Sequence, residues 1–148
     1  MQLSFNKALE IYKEVLGENH RNTASSYNNI GLVYNNLGDY DKALEYYIKA
    51  LEINKAVLGE NHPDTASSYD NIGVVYDNLG DYDKALEYFN KALEITKERL
   101  GESHPDTQTI LRNIAKVKQK LEESQGKTEE PKKKKGFWAK LFGKGLMY

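Results

Sequence analysis

The chain has 148 residues, 39% of them hydrophobic, 29% charged and none of them cysteine. That apolar content supports a core and excludes a wholly disordered chain. The missing cysteines exclude disulfides, thiolate metal sites and a cysteine nucleophile, and they fit a reducing compartment. The net charge of −1 conceals a division, because residues 131–148 carry six lysines and no acid. The remaining 130 residues then hold 15 basic and 22 acidic side chains, a net of −7, so body and tail are read separately.

The first predicted element is a helix at 3–16, with Phe5, Ala8, Leu9 and Tyr12 at helical spacing. Its Lys7-Ala8-Leu9-Glu10-Ile11 returns as Lys49-Ala50-Leu51-Glu52-Ile53 and as Lys91-Ala92-Leu93-Glu94-Ile95. Gly17-Glu18-Asn19-His20 likewise returns at 59–62 and, with one change, at 101–104, a period of 42. Residues 17–58 and 59–100 agree at 32 of 42 positions, so the chain is an array of one duplicated unit rather than an irregular domain.

Each unit reads as two helices, predicted at 22–37 and 40–57, then at 64–79 and 82–99, with a last one at 106–123. In the second unit Pro63 suits a first helical turn, where its missing N–H is harmless. Tyr69, Ile72, Val75, Tyr76 and Leu79 form one apolar stripe. Gly80 can close that helix in the left-handed conformation, and Asp81 can cap the next. Gly31 and Gly73, inside first helices, each cost about 1 kcal/mol against alanine, which a close helix–helix contact would explain. In the last helix Leu111, Ile114 and Ala115 continue the stripe, but Lys118 stands where the units place Tyr34 and Tyr76. It reads as a more polar capping helix.

The pattern Tyr69-x-x-Ile72-Gly73-x-x-Tyr76, followed by Ala85, Phe89 and Ala92, resembles the tetratricopeptide repeat. With the loop Leu58-Gly59-x-x-His62-Pro63-x-Thr65, it resembles the 42-residue variety of kinesin light chains. The resemblance covers residues 1–123. It implies an all-α, right-handed superhelical solenoid of antiparallel helix pairs, made of a half repeat, two full repeats and a capping helix. The first helix of each pair would line a concave groove. Residues 3–16 would be a second helix without its partner, either because the array is longer or because something else covers that face.

Catalysis finds little footing. The three histidines recur at the same place in successive units, and neighbouring helices lie ~8–10 Å apart, too far for one metal with bonds near 2 Å. They read as loop and capping residues, and Ser25-Ser26 and Ser67-Ser68 as helix-surface packing. No enzyme activity, metal or cofactor is expected.

The resemblance points instead to a groove for a protein or peptide partner. Asn28, Asn29, Leu32 and Asn35 would line it from the first unit, and Asp70, Asn71, Val74 and Asp77 from the second. Arg112, Asn113 and Lys116 would follow from the last helix. Asparagine offers both donors and an acceptor, so Asn29, Asn71 and Asn113 could pair with the backbone of an extended peptide. The charges would run from neutral through acidic to basic. The carboxylate clamp of some relatives needs a lysine and an asparagine where this chain has Asn28 and Leu32, so that ligand class is disfavoured.

Residues 124–131 read as a linker to a basic amphipathic tail at 132–148. Lys132, Lys133, Lys134 and Lys135 lead into Phe137, Trp138, Leu141 and Phe142, which cluster on one side of a helix. Twelve helical residues reach only ~18 Å and cannot cross a ~30 Å membrane core. The tail could lie on an anionic membrane surface. It could equally dock on this body or on a neighbouring copy, giving self-association through the tail or the open N-terminal helix. A nucleic-acid role is the weaker reading. The N-terminus lacks the pattern of a secretory leader. The expected location is therefore cytoplasmic, or peripheral at a membrane. The chain is read as an interaction scaffold, with a membrane-anchored adaptor as the alternative.

Overall fold

The computed structural model describes the backbone of residues 2–16 and 20–142, and the side chains of 5–13 and 20–126. Six helices follow one another: α1 (Gln2–Leu16), α2 (Arg21–Asn36), α3 (Tyr40–Leu58), α4 (Pro63–Leu79), α5 (Tyr82–Leu100) and α6 (Pro105–Phe142). The described residues contain no strand.

Local chemistry sets most of the boundaries. The first helices α2, α4 and α6 are each capped by a histidine. His20, His62 and His104 accept, through Nδ1, the backbone N–H of Asn22, Asp64 and Asp106 at 3.0–3.1 Å. This satisfies one of the amides that a helix start leaves without a partner. The second helices α3 and α5 are capped by Asp39 and Asp81, whose Oδ1 atoms accept from the N–H of Lys42 and Lys84. Gly80 ends α4 at φ 79°, in the left-handed region where a Cβ is disfavoured. Thr65 and Thr107 tie each first helix to the preceding loop, donating to the Gly59 and Gly101 carbonyls at 2.7 Å.

Within a unit the two helices close on a glycine. A Cβ built on Gly73 would stand 2.7 Å from Cδ1 of Phe89, and one on Gly31 would stand 2.7 Å from Cδ1 of Tyr47. The aromatic ring occupies the space that any larger side chain would need. The sequence-based reason for these glycines therefore holds. Beside each contact a tyrosine pair stacks, Tyr34 on Tyr46 and Tyr76 on Tyr88, with centroids 5.6 Å apart. Lys49 and Lys91 lie over the rings of Tyr46 and Tyr88.

Between units, α3 packs on α4 and α5 on α6, while α1 covers α2. One buried cluster runs from Ala43 and Tyr47 through Ile72, Val75 and Phe89 to Ile110, Ile114 and Val117. A second joins Leu9 to Ala24, Tyr27, Ile30, Ala50 and Ile53. The result is an all-α solenoid of antiparallel pairs, coiling as a right-handed superhelix.

Three expectations change. Leu79 is 44% exposed rather than part of the stripe, because it lies in the last turn of α4, beyond the buried Val75. Ala115 is exposed and Leu111 only half-buried, while Ile110, Ile114 and Val117 form the buried face. The face equivalent to that of Gly31 and Gly73 has no following helix among the described residues, so α6 buries only the side turned to α5. The linker expected at 124–131 is helical, continuous with α6 through Phe142. Gln125, Lys127, Glu129 and Glu130 are good helix formers, and they carry the backbone past Gly126 and Pro131. Pro131 removes one N–H from that ladder.

Candidate functional site

The expected groove surface belongs to α2, α4 and α6, and their mutual bonds show that these helices lie side by side. Arg21 Nη2 pairs with Asp64 Oδ2 at 3.2 Å. Asn78 Nδ2 donates to Asn35 Oδ1 at 3.0 Å. Lys120 Nζ donates to Asp77 Oδ1 at 2.9 Å. Each of these joins residue i to i+43. The one-residue drift from the 42-residue period is what a progressive offset between stacked units produces.

The predicted groove residues divide. Asn29, Leu32, Arg112 and Lys116 are exposed, and Asn71 is half-buried. Asn35 and Asp77 are engaged by the next helix. Val74 packs against the core. Arg112 Nη2 donates to the Thr109 hydroxyl at 3.0 Å on its own helix. Asn113 hydrogen-bonds the Asp70 carboxylate. The asparagine row is thus partly consumed by the solenoid itself. The tail residues Lys132–Lys135, Phe137, Trp138, Leu141 and Phe142 lie on helical backbone, and their side chains lie outside the described set.

Sequence reasoning missed two cavities at the junctions between units. The first, about 450 Å³, is bordered by His20, Arg21, Asn28, Asn54, Asp64 and Ser67. The second, about 140 Å³, is bordered among others by Pro63, Ser67, Asp70, Thr96, Asp106 and Thr109. Shifted by 42, Arg21, Asn28, Asn54, Asp64 and Ser67 of the first become Pro63, Asp70, Thr96, Asp106 and Thr109 of the second. The cavities are the same architectural feature, built twice.

Their polar linings differ. In the first junction Asn54, buried on α3, donates to Ser68 Oγ at 2.9 Å and to the Asp64 carbonyl at 3.4 Å. At the second junction its counterpart Thr96 donates to Ala92 of its own helix. Asn28 Oδ1 and its counterpart Asp70 Oδ1 are both shut off from solvent, and neither accepts a hydrogen bond among the described residues. For the carboxylate that position has an electrostatic consequence. Burial, with the nearby Asp106 adding to it, pushes the Asp70 carboxyl up to about 6 against the opposing hydrogen bond from Asn113. On the other side of α4, burial and the Glu60 carboxylate, to which its hydroxyl donates, push the Tyr69 phenol upward.

The described residues contain no cluster of three or more potential metal ligands and no helix long and apolar enough to cross a membrane. A model of the tetratricopeptide repeat matches residues 23–98 and 78–125. Among solved structures, BtubC (BKLC) from P. vanneervenii is 29% identical with a TM-score of 0.75, covering 81% of this chain and 48% of that one. A Podosopora anserina protein named as a putative kinesin light chain, with nearly identical TPR-like repeats, is 20% identical with a TM-score of 0.72. That match covers 92% of this chain and 64% of the other. A point variant of that protein gives 20% identity and a TM-score of 0.66, over 93% and 65% of the two chains. At 20% identity the latter two speak to the fold alone. The chain spans from about half to just under two thirds of the lengths of these structures. No curated protein matches it.

Proposed function

The chain belongs to the tetratricopeptide repeat family, in its kinesin-light-chain-like variety, and from that premise we propose that it holds an extended segment of a protein partner along α2, α4 and α6. Repeats of this family generally serve as protein-binding scaffolds, and this role needs no catalytic group. What carries the finer reading is the alignment of the three first helices, locked by the bonds at Arg21–Asp64, Asn35–Asn78 and Asp77–Lys120. On this reading Asn29, Leu32, Asn71, Arg112 and Lys116 would share one binding surface. Asn71, half-buried at its middle, is the amide best placed to be desolvated by a bound backbone.

The test is a peptide selected by display on the full chain and measured by calorimetry. Asn71→Ala should weaken it by about 1–3 kcal/mol, the loss expected when a buried partner is left unpaired. Equal affinity for parent and variant would remove Asn71 from the site.

The tail is proposed as a second docking element. It joins four consecutive lysines to Phe137, Trp138, Leu141 and Phe142 on a helical backbone. Docking on protein predicts that the full chain and a 1–130 truncation float equally poorly with anionic liposomes. Flotation of the full chain alone would favour the membrane-associated adaptor instead.

A further inference from the structure

The two junction cavities differ where charge matters. In the first, the Arg21 guanidinium crosses from α2 to the Asp64 carboxylate on α4, 3.2 Å away. In the second, the counterpart of Asp64 is Asp106, but the counterpart of Arg21 is Pro63, which carries no charge. Asn28 is meanwhile replaced by Asp70. The second cavity has therefore lost a cation and gained a carboxylate relative to the first.

Among the described residues, no lysine or arginine forms an ion pair with Asp70 or Asp106. His104 Nδ1 lies 3.9 Å from Asp106 Oδ2. That nitrogen already accepts the N–H of Asp106. Arg99 is held by the Asn61 carbonyl, Lys97 by Glu102, Arg112 by Thr109 and Lys120 by Asp77. The hydroxyls point to the same ligand. Ser67, Thr96 and Thr109 each donate their proton to a carbonyl of their own helix, those of Pro63, Ala92 and Pro105. Ser67 and Thr96 are left as acceptors, while Thr109 already accepts from Arg112. A lining of acceptors with two carboxylates suits a group that has only donors, and a guanidinium has five N–H bonds and no acceptor. Leu100 and Ile110, also at the wall, suit the apolar stem of such a side chain.

We propose that the second junction, between α4, α5 and α6, is a receptor pocket for an arginine side chain of a protein partner, which takes there the place that Arg21 holds in the first junction. This rests on the protein-binding reading only in its source of the arginine. It does not require the asparagine row. Within the chain, α2 shows that an arginine is compatible with the first helical position that Pro63 occupies in α4.

The probe is N-acetyl-arginine amide, titrated into the full isotope-labelled chain and followed by amide NMR. N-acetyl-citrulline amide, nearly isosteric and uncharged, is the control. Saturable shifts are expected at Ser67, Asp70, Asp106 and Thr109, with the citrulline compound at least ten-fold weaker. Pro63→Arg supplies the cation from within the chain and should weaken the probe at least ten-fold while the helical circular dichroism is kept. Asp70→Asn should weaken it comparably, an independent reading should Pro63→Arg not fold. Asn71→Ala should leave it unchanged, so that failure of this pocket and failure of the peptide groove are told apart. Equal binding of the citrulline compound, undiminished binding by folded Pro63→Arg or by Asp70→Asn, or no saturable shift at these residues would each overturn the proposal.

Discussion

Asp70→Asn is expected to stabilise the chain above pH 6.5 and to leave it close to the parent near pH 3.5. An unpaired carboxylate oxygen shut off from solvent opposes ionisation, so the folded state releases this proton at about pH 6 and the unfolded chain at its ordinary 3.8. Across that window the folded state holds more protons. The contribution of Asp70 to stability is full below 3.8 and is lost as pH rises through 6. Two pH units of separation at 1.36 kcal/mol each amount to roughly 3 kcal/mol. The groups facing Asp70 act in both directions: Asp106 on α6 raises the carboxyl further, and Asn113 on the same helix holds it back. Asparagine already occupies the equivalent position at Asn28, so the shape is tolerated. Urea denaturation at the two pH values measures the difference. A gain of equal size at both, or a loss at the higher one, would contradict the isolation of this carboxylate.

The second large effect is a coupling between Gly73 and Phe89. Phe89 is fully buried, and its replacement by alanine should cost about 3–5 kcal/mol through lost transfer energy and the cavity left behind. Gly73→Ala alone should cost about 1–3 kcal/mol, because the new Cβ would meet Cδ1 and Cε1 of that ring at 2.7 Å. In the Phe89→Ala background the same change should be close to neutral or favourable. The ring is gone, and alanine is the better helix former by about 1 kcal/mol. Denaturant unfolding of the four proteins gives the interaction energy directly. Additive losses would mean that the ring moves aside, and that the glycine is present for another reason.

Gly73 illustrates what could be read before any coordinates. A glycine in a helix interior is costly, and its recurrence at Gly31, at the same place in the repeated unit, points to a contact that forbids a side chain. The caps are as legible. Histidine or aspartate before α2 to α6, glycine closing α3, α4 and α5 and proline in a first turn act over about four residues, so sequence distance and spatial distance coincide. Periodicity placed Tyr69, Ile72 and Val75 on the buried side for the same reason, and the 42-residue period implied the stacking of pairs.

What tertiary structure decided lies between units, where the partners are about one whole period apart. The drift from 42 to 43 residues in the Arg21–Asp64, Asn35–Asn78 and Asp77–Lys120 bonds comes from the offset between stacked pairs, which no local pattern encodes. It takes Asn35 and Asp77 out of the expected row of free polar groups. Asp70 on a helix surface has the sequence signature of any solvated acid. Only the convergence of α4, the end of α5 and α6 withdraws its oxygen from water and makes the replacement of Arg21 by Pro63 a matter of charge. That α6 buries Ile110, Ile114 and Val117 while Ala115 stays exposed follows from which neighbour it meets. A helix repeats every 3.6 residues on all its sides, and the packing partner decides which side is the inside.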